Sequence, residues 1–214
     1  NAVHNHLRMP LGHFFGRAAQ VRGEDHVLQC QQRVVGRQRL VPENIQRRAG
    51  DAMFPQRIEQ ASGPAVRRQA EEVFYQMSIV DDARIAVSVG TRDRGVAAMH
   101  DATEYGIRGG LHEFAQAAGL GLVVHQDEIV ITPAVKETCR LFGIEPFSSI
   151  SEGTLIAAVR PHAADAVLRR LGDHGIRASI CGELTPKSEG IRVVEGGRTR
   201  ELAHPGIDPF WEAF

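Results

Sequence analysis

Residues 100–113 read HDATEYGIRGGLHE. The apolar run Val96 to Met99 precedes them and reads as a short buried strand that delivers Asp101 at its C-terminal end. After the carboxylates Asp101 and Glu104 come glycines, which tolerate tight or left-handed backbone. Gly110 then begins a helix with Leu111, Phe114, Ala115 and Ala118 on one face, stopped by Gly119. Free N–H groups and the positive end of a helix dipole at such a junction suit a phosphate, or a carboxylate from elsewhere in the fold. Asp101 and Glu104 would repel a bare phosphate. They fit a metal ion held between them and the ligand, with Asp101 the candidate ligand, or the backbone amides of a neighbouring loop. The plainer alternative is a capped turn with solvated acids.

Working outward, helices and strands alternate. LGLVVH (120–125) reads as a strand, and TPAVKETCRLFG (132–143) as a helix with Thr132 as cap, Pro133 at the first helical position and Gly143 at its end. EGTLIAAV (152–159) reads as a strand. Pro161 opens a helix that turns Ala164, Val167, Leu168 and Leu171 inward. ASICGEL (178–184) is a strand, and IRVVEGGRTREL (191–202) is a hairpin turning at Gly196-Gly197. Upstream, Val66, Ala70, Val73, Phe74 and Met77 recur at helical spacing. Ser78 is the expected cap of a second helix ending at Gly90, with Asp81 and Asp82 in its first turn. The pattern predicts an α/β (α+β) fold, a mixed β-sheet covered by helices.

The chain has 214 residues and a net charge of −1, so no global field favours nucleic acid or an anionic membrane. No apolar run is long enough to span a bilayer, and the first residues lack the pattern of a secretory signal. The absence of a starting Met suggests a trimmed chain or a fragment. Cys30, Cys139 and Cys181 are dispersed and odd in number, which argues for a reducing, cytoplasmic compartment rather than a disulfide framework. Cys139 and Cys181 read as small buried hydrophobes. The preference for arginine, 23 against two lysines, reflects a GC-rich genome and carries no functional weight.

Composition divides the chain at Ala65. Residues 1–65 hold nine arginines against five acids, with eight glutamines and weak periodicity; residues 66–214 hold 16 basic against 21 acidic residues. The first segment reads as poorly structured or atypical: a basic arm, a small docked helical subdomain, or an upstream reading frame joined to a genuine domain. His4, His6, His13 and His26 lack metal-site spacing. Residues 66–214 form the expected domain.

A second constellation is FSSISEGTLIAAV (147–159), where serines and Glu152 precede Gly153 and a buried strand. A glutamate at a strand mouth can act as a base or position a nucleophile. Alternatively, Ser151 and Glu152 satisfy local N–H groups.

Together MHDATEYGIRGGLHEFAQAAGLGL, ITPAVKETCRLFGIEPFSSISEGTLIAAV and ICGEL resemble the C-terminal half of the aminoimidazole ribonucleotide synthetase-like superfamily, nearest the hydrogenase-maturation carbamoyl dehydratase and synthetase-related branch. The resemblance covers about 66–214. It implies an ATP- and Mg²⁺-dependent enzyme, usually a homodimer, that phosphorylates an amide-type oxygen. Its C-terminal domain closes over nucleotide held mainly by an N-terminal domain. By that resemblance Asp101, Thr103, Glu104, Gly106, Gly109, Gly110, Ser151 and Gly153 belong to a nucleotide-phosphate or interface loop, and Glu152, the catalytic candidate, faces the reaction centre.

The departures set the expectations. Tyr105 stands where relatives commonly have glycine, and the chain ends FWEAF without the terminal cysteine of the maturation enzymes. Residues 1–65 show no acidic nucleotide loop or glycine-rich phosphate segment, so the nucleotide-binding half is expected to be missing, or supplied by a separate chain. The alternatives are a non-catalytic dimerisation or protein-interaction module and a truncated gene product.

Overall fold

The computed structural model describes residues 25–30, 54–73, 75 and 78–208. Among them, seven strands form one mixed sheet: β1 (His26–Cys30), β2 (Val96–Ala102), β3 (Gly121–His125), β4 (Thr154–Val159), β5 (Ala178–Thr185), β6 (Ile191–Glu195) and β7 (Arg198–Glu201). Their spatial order is β2-β4-β1-β5-β3-β6-β7, and every neighbouring pair is antiparallel except β3 and β6. The α-helices are α1 (Phe54–Val73), α2 (Val80–Val89), α3 (Gly106–Ala118), α4 (Pro133–Phe142) and α5 (Pro161–Gly172). The expected mixed sheet under helices is what the chain forms.

Helices cover both faces of the sheet, which is why β4 reads TLIAAV with no polar alternation. Ile156 and Ala158 pack with Ile107, Leu111, Phe114 and Ala115 of α3. The intervening Leu155, Ala157 and Val159 pack with Ala86 of α2 and with Ala163, Ala164, Val167 and Leu171 of α5. A smaller cluster of Val135, Cys139, Ile144 and Ile150 lies under α4. Against α4 sits α1, through Arg57 over the Phe142 ring at 4.6 Å and the Ser62 hydroxyl donating to Glu137 at 2.5 Å.

The local signals at element ends hold where capping chemistry is strong. Thr132 accepts the Val135 N–H at 3.1 Å, Pro133 follows it, and Gly143 ends α4 in the left-handed region. Both Gly196 and Gly197 have positive φ, 54° and 75°, as the tight hairpin turn requires. Other boundaries differ. Two expected starts and one end move: α3 begins at Gly106 rather than Gly110, α2 starts at Val80, and β2 runs on through Asp101 to Ala102. The Ser78 hydroxyl accepts the Val80 N–H at 3.4 Å, and Ile79, not Ser78, is the residue that precedes the helix. Phe74 and Met77 lie outside the described residues, as do His4, His6, His13 and the terminal FWEAF.

Just before the compositional change at Ala65, α1 is kinked: Gly63 leaves the helical region (φ 85°, ψ 167°) and Pro64 follows it. Ala65 lies in the helical stretch after that kink, and His26–Cys30, upstream of it, is an interior strand of the sheet, third of seven, between β4 and β5. Asp25, just before β1, is fully buried and pairs with Arg160, the residue preceding α5. No described helix is long and apolar enough to cross a membrane.

Candidate functional site

Strands β2 and β4 pair antiparallel, with Asp101 opposite Leu155 and Ala102 opposite Thr154. That register brings the end of one strand to the start of the other, and with it the two loops singled out in the sequence. The loops are stitched together. The Thr103 carbonyl accepts the Ser151 N–H at 3.0 Å and the Gly106 N–H at 3.3 Å, while the Ser151 hydroxyl donates to the Ala102 carbonyl at 3.2 Å. Ser151 is fully buried and Gly153 adopts φ 83°.

Asp101 and Glu152 come together at this corner. Asp101 lies at the surface, yet the atoms crowded round its carboxyl and, secondly, the Glu152 carboxylate push its pKa up to about 6, against a smaller opposing pull from His100. Like charge on a partly dry rim favours the protonated acid. Glu104 stays exposed.

The glycines do different work from that expected. A Cβ on Gly106 would lie 2.5 Å from the Ser149 carbonyl oxygen and 2.7 Å from that of Phe147; one on Gly110 would lie 2.8 Å from the Ala102 Cβ. Gly106 therefore lets the serine loop rest on the start of α3. Gly109 and Gly110 lie within the helix rather than before it, and Gly110 lets α3 sit close on β2. Tyr105 itself is left-handed, φ 61°, a conformation that suits glycine better. Its N–H donates to the Asp208 carboxylate at 2.8 Å, and the Arg108 N–H donates to the Phe147 carbonyl at 2.9 Å. The Asp208 carboxylate thus meets the start of α3 here.

Other groups nearby escaped the sequence reading. His100 bonds Glu113 at 3.2 Å, and that bond draws the Glu113 carboxyl below its usual range. The His204 ring packs edge-on against Tyr105 and His112. Burial, then His204, lowers the pKa of His112, whose Nδ1 is buried without a hydrogen-bond partner. No group of three or more His, Cys, Asp or Glu among the described residues could hold a metal ion. Asp208 and His204 lie about a hundred residues from their partners, and no local pattern announces them.

Residues 49–195 match the family described as AIR synthase related protein, C-terminal domain. The chain belongs to this family. The curated relatives of this AIR synthase-related domain include carbamoyl dehydratase HypE of Escherichia coli (strain K12), 30% identical over 167 residues, which are 75% of this chain and 49% of HypE. HypE of Bradyrhizobium diazoefficiens is 32% identical over 143 residues, 64% of this chain and 41% of that protein. Selenide, water dikinase of Escherichia coli O139:H28 is 30% identical over 150 residues, 59% of this chain and 42% of the dikinase. The domain thus spans about half, or less, of the length of these relatives. Among solved structures, E. coli HypE superposes with TM-score 0.60 over 90% of this chain and 53% of its own, at 22% identity. HypE in a HypE–HypF complex gives 0.62 over 88% and 55%, at 17% identity. These likenesses establish a shared fold. Strand β1 lies upstream of the matched span.

Proposed function

We propose that this chain is the C-terminal part of an ATP-dependent, hydrogenase-maturation-like synthetase, and that the Asp101–Glu152 corner closes over nucleotide and substrate held mainly by a nucleotide-binding half, in the same protein or a separate chain. The observation that carries the reading is the juxtaposition of the two carboxylates at the meeting of β2 and β4, where burial first and Glu152 second raise the pKa of Asp101. Paired acids that crowd one another suit a shared cation. Mg²⁺ commonly takes one or two carboxylates and completes its shell with phosphate oxygens and water, so Asp101 and Glu152 fit an ion shared with a nucleotide rather than one caged by protein. Glu152 is the proposed catalytic group, Thr103, Glu104, Gly106, Ser151 and Gly153 shape the loops around it, and Gly109 and Gly110 lie in the first turns of α3 beside them.

ATP enters this reading through relatives: one solved neighbour is HypE in complex with ATP. We take the protein to be a cytoplasmic homodimer, in line with the superfamily resemblance. Isothermal titration of Mg-ATP into the chain and into Asp101→Ala tests the proposal. Binding heat that the substitution weakens is the expected result; equal, measurable heats from the two proteins overturn the role given to Asp101.

The Asp208 carboxylate at the Tyr105 N–H favours a second reading, a non-catalytic dimerisation or interaction module, because an internal acid already meets one of the amides a phosphate would seek. Light scattering during size exclusion checks it. A monomer that binds neither nucleotide nor a partner protein disfavours both readings.

A further inference from the structure

We propose that the exposed turn between α2 and β2, residues 91–94, is a docking prong for a short acidic protein segment, with Arg92 and Arg94 pairing with its carboxylates. The turn lies at the end of β2 away from Asp101, about 20 Å along the strand at ~3.3 Å per residue. The inference therefore stands apart from the carboxylate-pair reading above.

The backbone of the turn is fixed. The Val96 N–H donates to the Gly90 carbonyl at 2.9 Å, the Arg94 N–H to the Thr91 carbonyl at 3.1 Å and the Gly95 N–H to the Arg92 carbonyl at 3.3 Å. Its two ends touch. A Cβ on Gly90 would lie 2.5 Å from the Arg94 carbonyl oxygen, and one on Gly95 would run into the Gly90 carbonyl. The rest of the domain grips the turn twice. The Gly95 carbonyl accepts the Arg160 N–H at 3.0 Å, and Arg160 Nη2 reaches the Asp93 carboxylate at 3.3 Å while Nη1 holds the buried Asp25. Asp93 is thus engaged by the residue that opens α5, and Arg92 and Arg94 flank it.

Both arginines are exposed. Arg92 has φ 57°, and among the described residues only Tyr105 shares a positive φ without being glycine. A side chain is disfavoured there, and glycine would take the position without strain. Such an outlier on a well-held turn motivates a functional reading. The charges point to the partner. Arg67, Arg84, Arg140, Arg192 and Arg200 each lie within 4.0 Å of a carboxylate close by in sequence. Arg92 and Arg94 have no hydrogen-bond or ion-pair partner among the described residues. Guanidinium forks match carboxylates in shape and charge, and a turn already rigid loses little freedom on binding. Residues 66–214 hold 16 basic against 21 acidic residues, so a long polyanion such as nucleic acid meets repulsion beyond the prong. A short acidic segment need touch only the turn.

Fluorescence anisotropy of a labelled octaglutamate peptide, titrated with the full chain at low ionic strength, is the test. Arg92→Ala/Arg94→Ala is expected to weaken binding about tenfold, as the loss of two charge-assisted pairs implies. Arg169→Ala/Arg170→Ala removes the same charge from exposed positions on α5 and is expected to leave binding nearly unchanged. Arg92→Gly is expected to melt no lower than the unsubstituted chain, because glycine accepts that backbone, and still to bind more weakly. The proposal is overturned if the unsubstituted chain does not bind the peptide, if the two double variants weaken binding equally, or if folded Arg92→Gly binds as tightly as the parent. A lower melting temperature for Arg92→Gly also overturns it, since the strained arginine would then serve the fold. So does an oligothymidylate of the same length that binds more tightly than the peptide through the same two arginines. Should the first double variant fail to fold, Arg94→Gln alone is read by the same criteria.

Discussion

The Arg160 guanidinium holds both carboxylate oxygens of Asp25 at 2.7 Å, across 135 residues of sequence, in a site where Asp25 is fully buried and Arg160 nearly so. A second nitrogen reaches Asp93 at 3.3 Å. The pair fastens the entry to β1 against the residue that opens α5, so a segment of basic, glutamine-rich composition is tied into the middle of the domain. Breaking a buried pair from one side strands the other charge, at about 3–5 kcal/mol. Asp25→Ala and Arg160→Met should each lower stability by that order in urea denaturation, and the double variant by less than their sum.

Helix α3 lies close on β2 and on the serine loop because of its glycines. Gly110→Ala places a methyl 2.8 Å from the Ala102 Cβ and 3.0 Å from Ile156 Cδ1. Overpacking of this kind costs about 1–3 kcal/mol. Gly106→Ala should be worse, because Gly106 has φ 62° and its added carbon meets carbonyl oxygens that have no room to move. Thermal melting of both variants checks the order.

Asp101 binds its proton more tightly in the folded chain, with a pKa near 6 against an ordinary 3.8. Its contribution to stability is therefore present below about pH 4 and is lost as pH rises through 6. Asp101→Asn should be more stable than the parent at pH 7, with the difference shrinking towards pH 4. Denaturation midpoints across that range test the sign, and a gap that widens on acidification contradicts it.

Burial pushes the Cys139 and Cys181 thiols up to about 12. Neither should form appreciable thiolate at pH 8 in the folded state. Peptide mapping after brief alkylation should find both unmodified, and both modified once the chain is unfolded in urea.

Asp208 satisfies an amide at the start of α3. Asp208→Ala should cost about 0.5–2 kcal/mol, the range for loss of a capping side chain, and hydrogen exchange at Tyr105 should quicken.

Much of the fold was legible because its signals are local. Thr132-Pro133 at one end of α4 and Gly143 at the other act through bonds to residues three or four away, and Gly196-Gly197 makes its turn within itself. The unbroken apolar run of β4 already required cover on both faces. The glycines of 106–110 misled about where α3 begins, because a glycine required for close packing looks in sequence like one required for a turn. The meeting of the loops around Asp101 and Glu152 was anticipated through family resemblance, not through spacing.

By itself, then, the sequence determined the alternation of elements, the caps of α4 and the mixed α/β class, since these follow from periodicity and short-range hydrogen bonding. Tertiary structure alone decided that β1 is inserted between β4 and β5, that Arg160 finds Asp25, that Arg108 spans the serine loop and Gln126, and that Asp208 meets Tyr105. Those are contacts between distant segments. They form only once burial of the two faces of the sheet has fixed which strands are neighbours, and the gain from that burial depends on the whole arrangement rather than on any one stretch of chain.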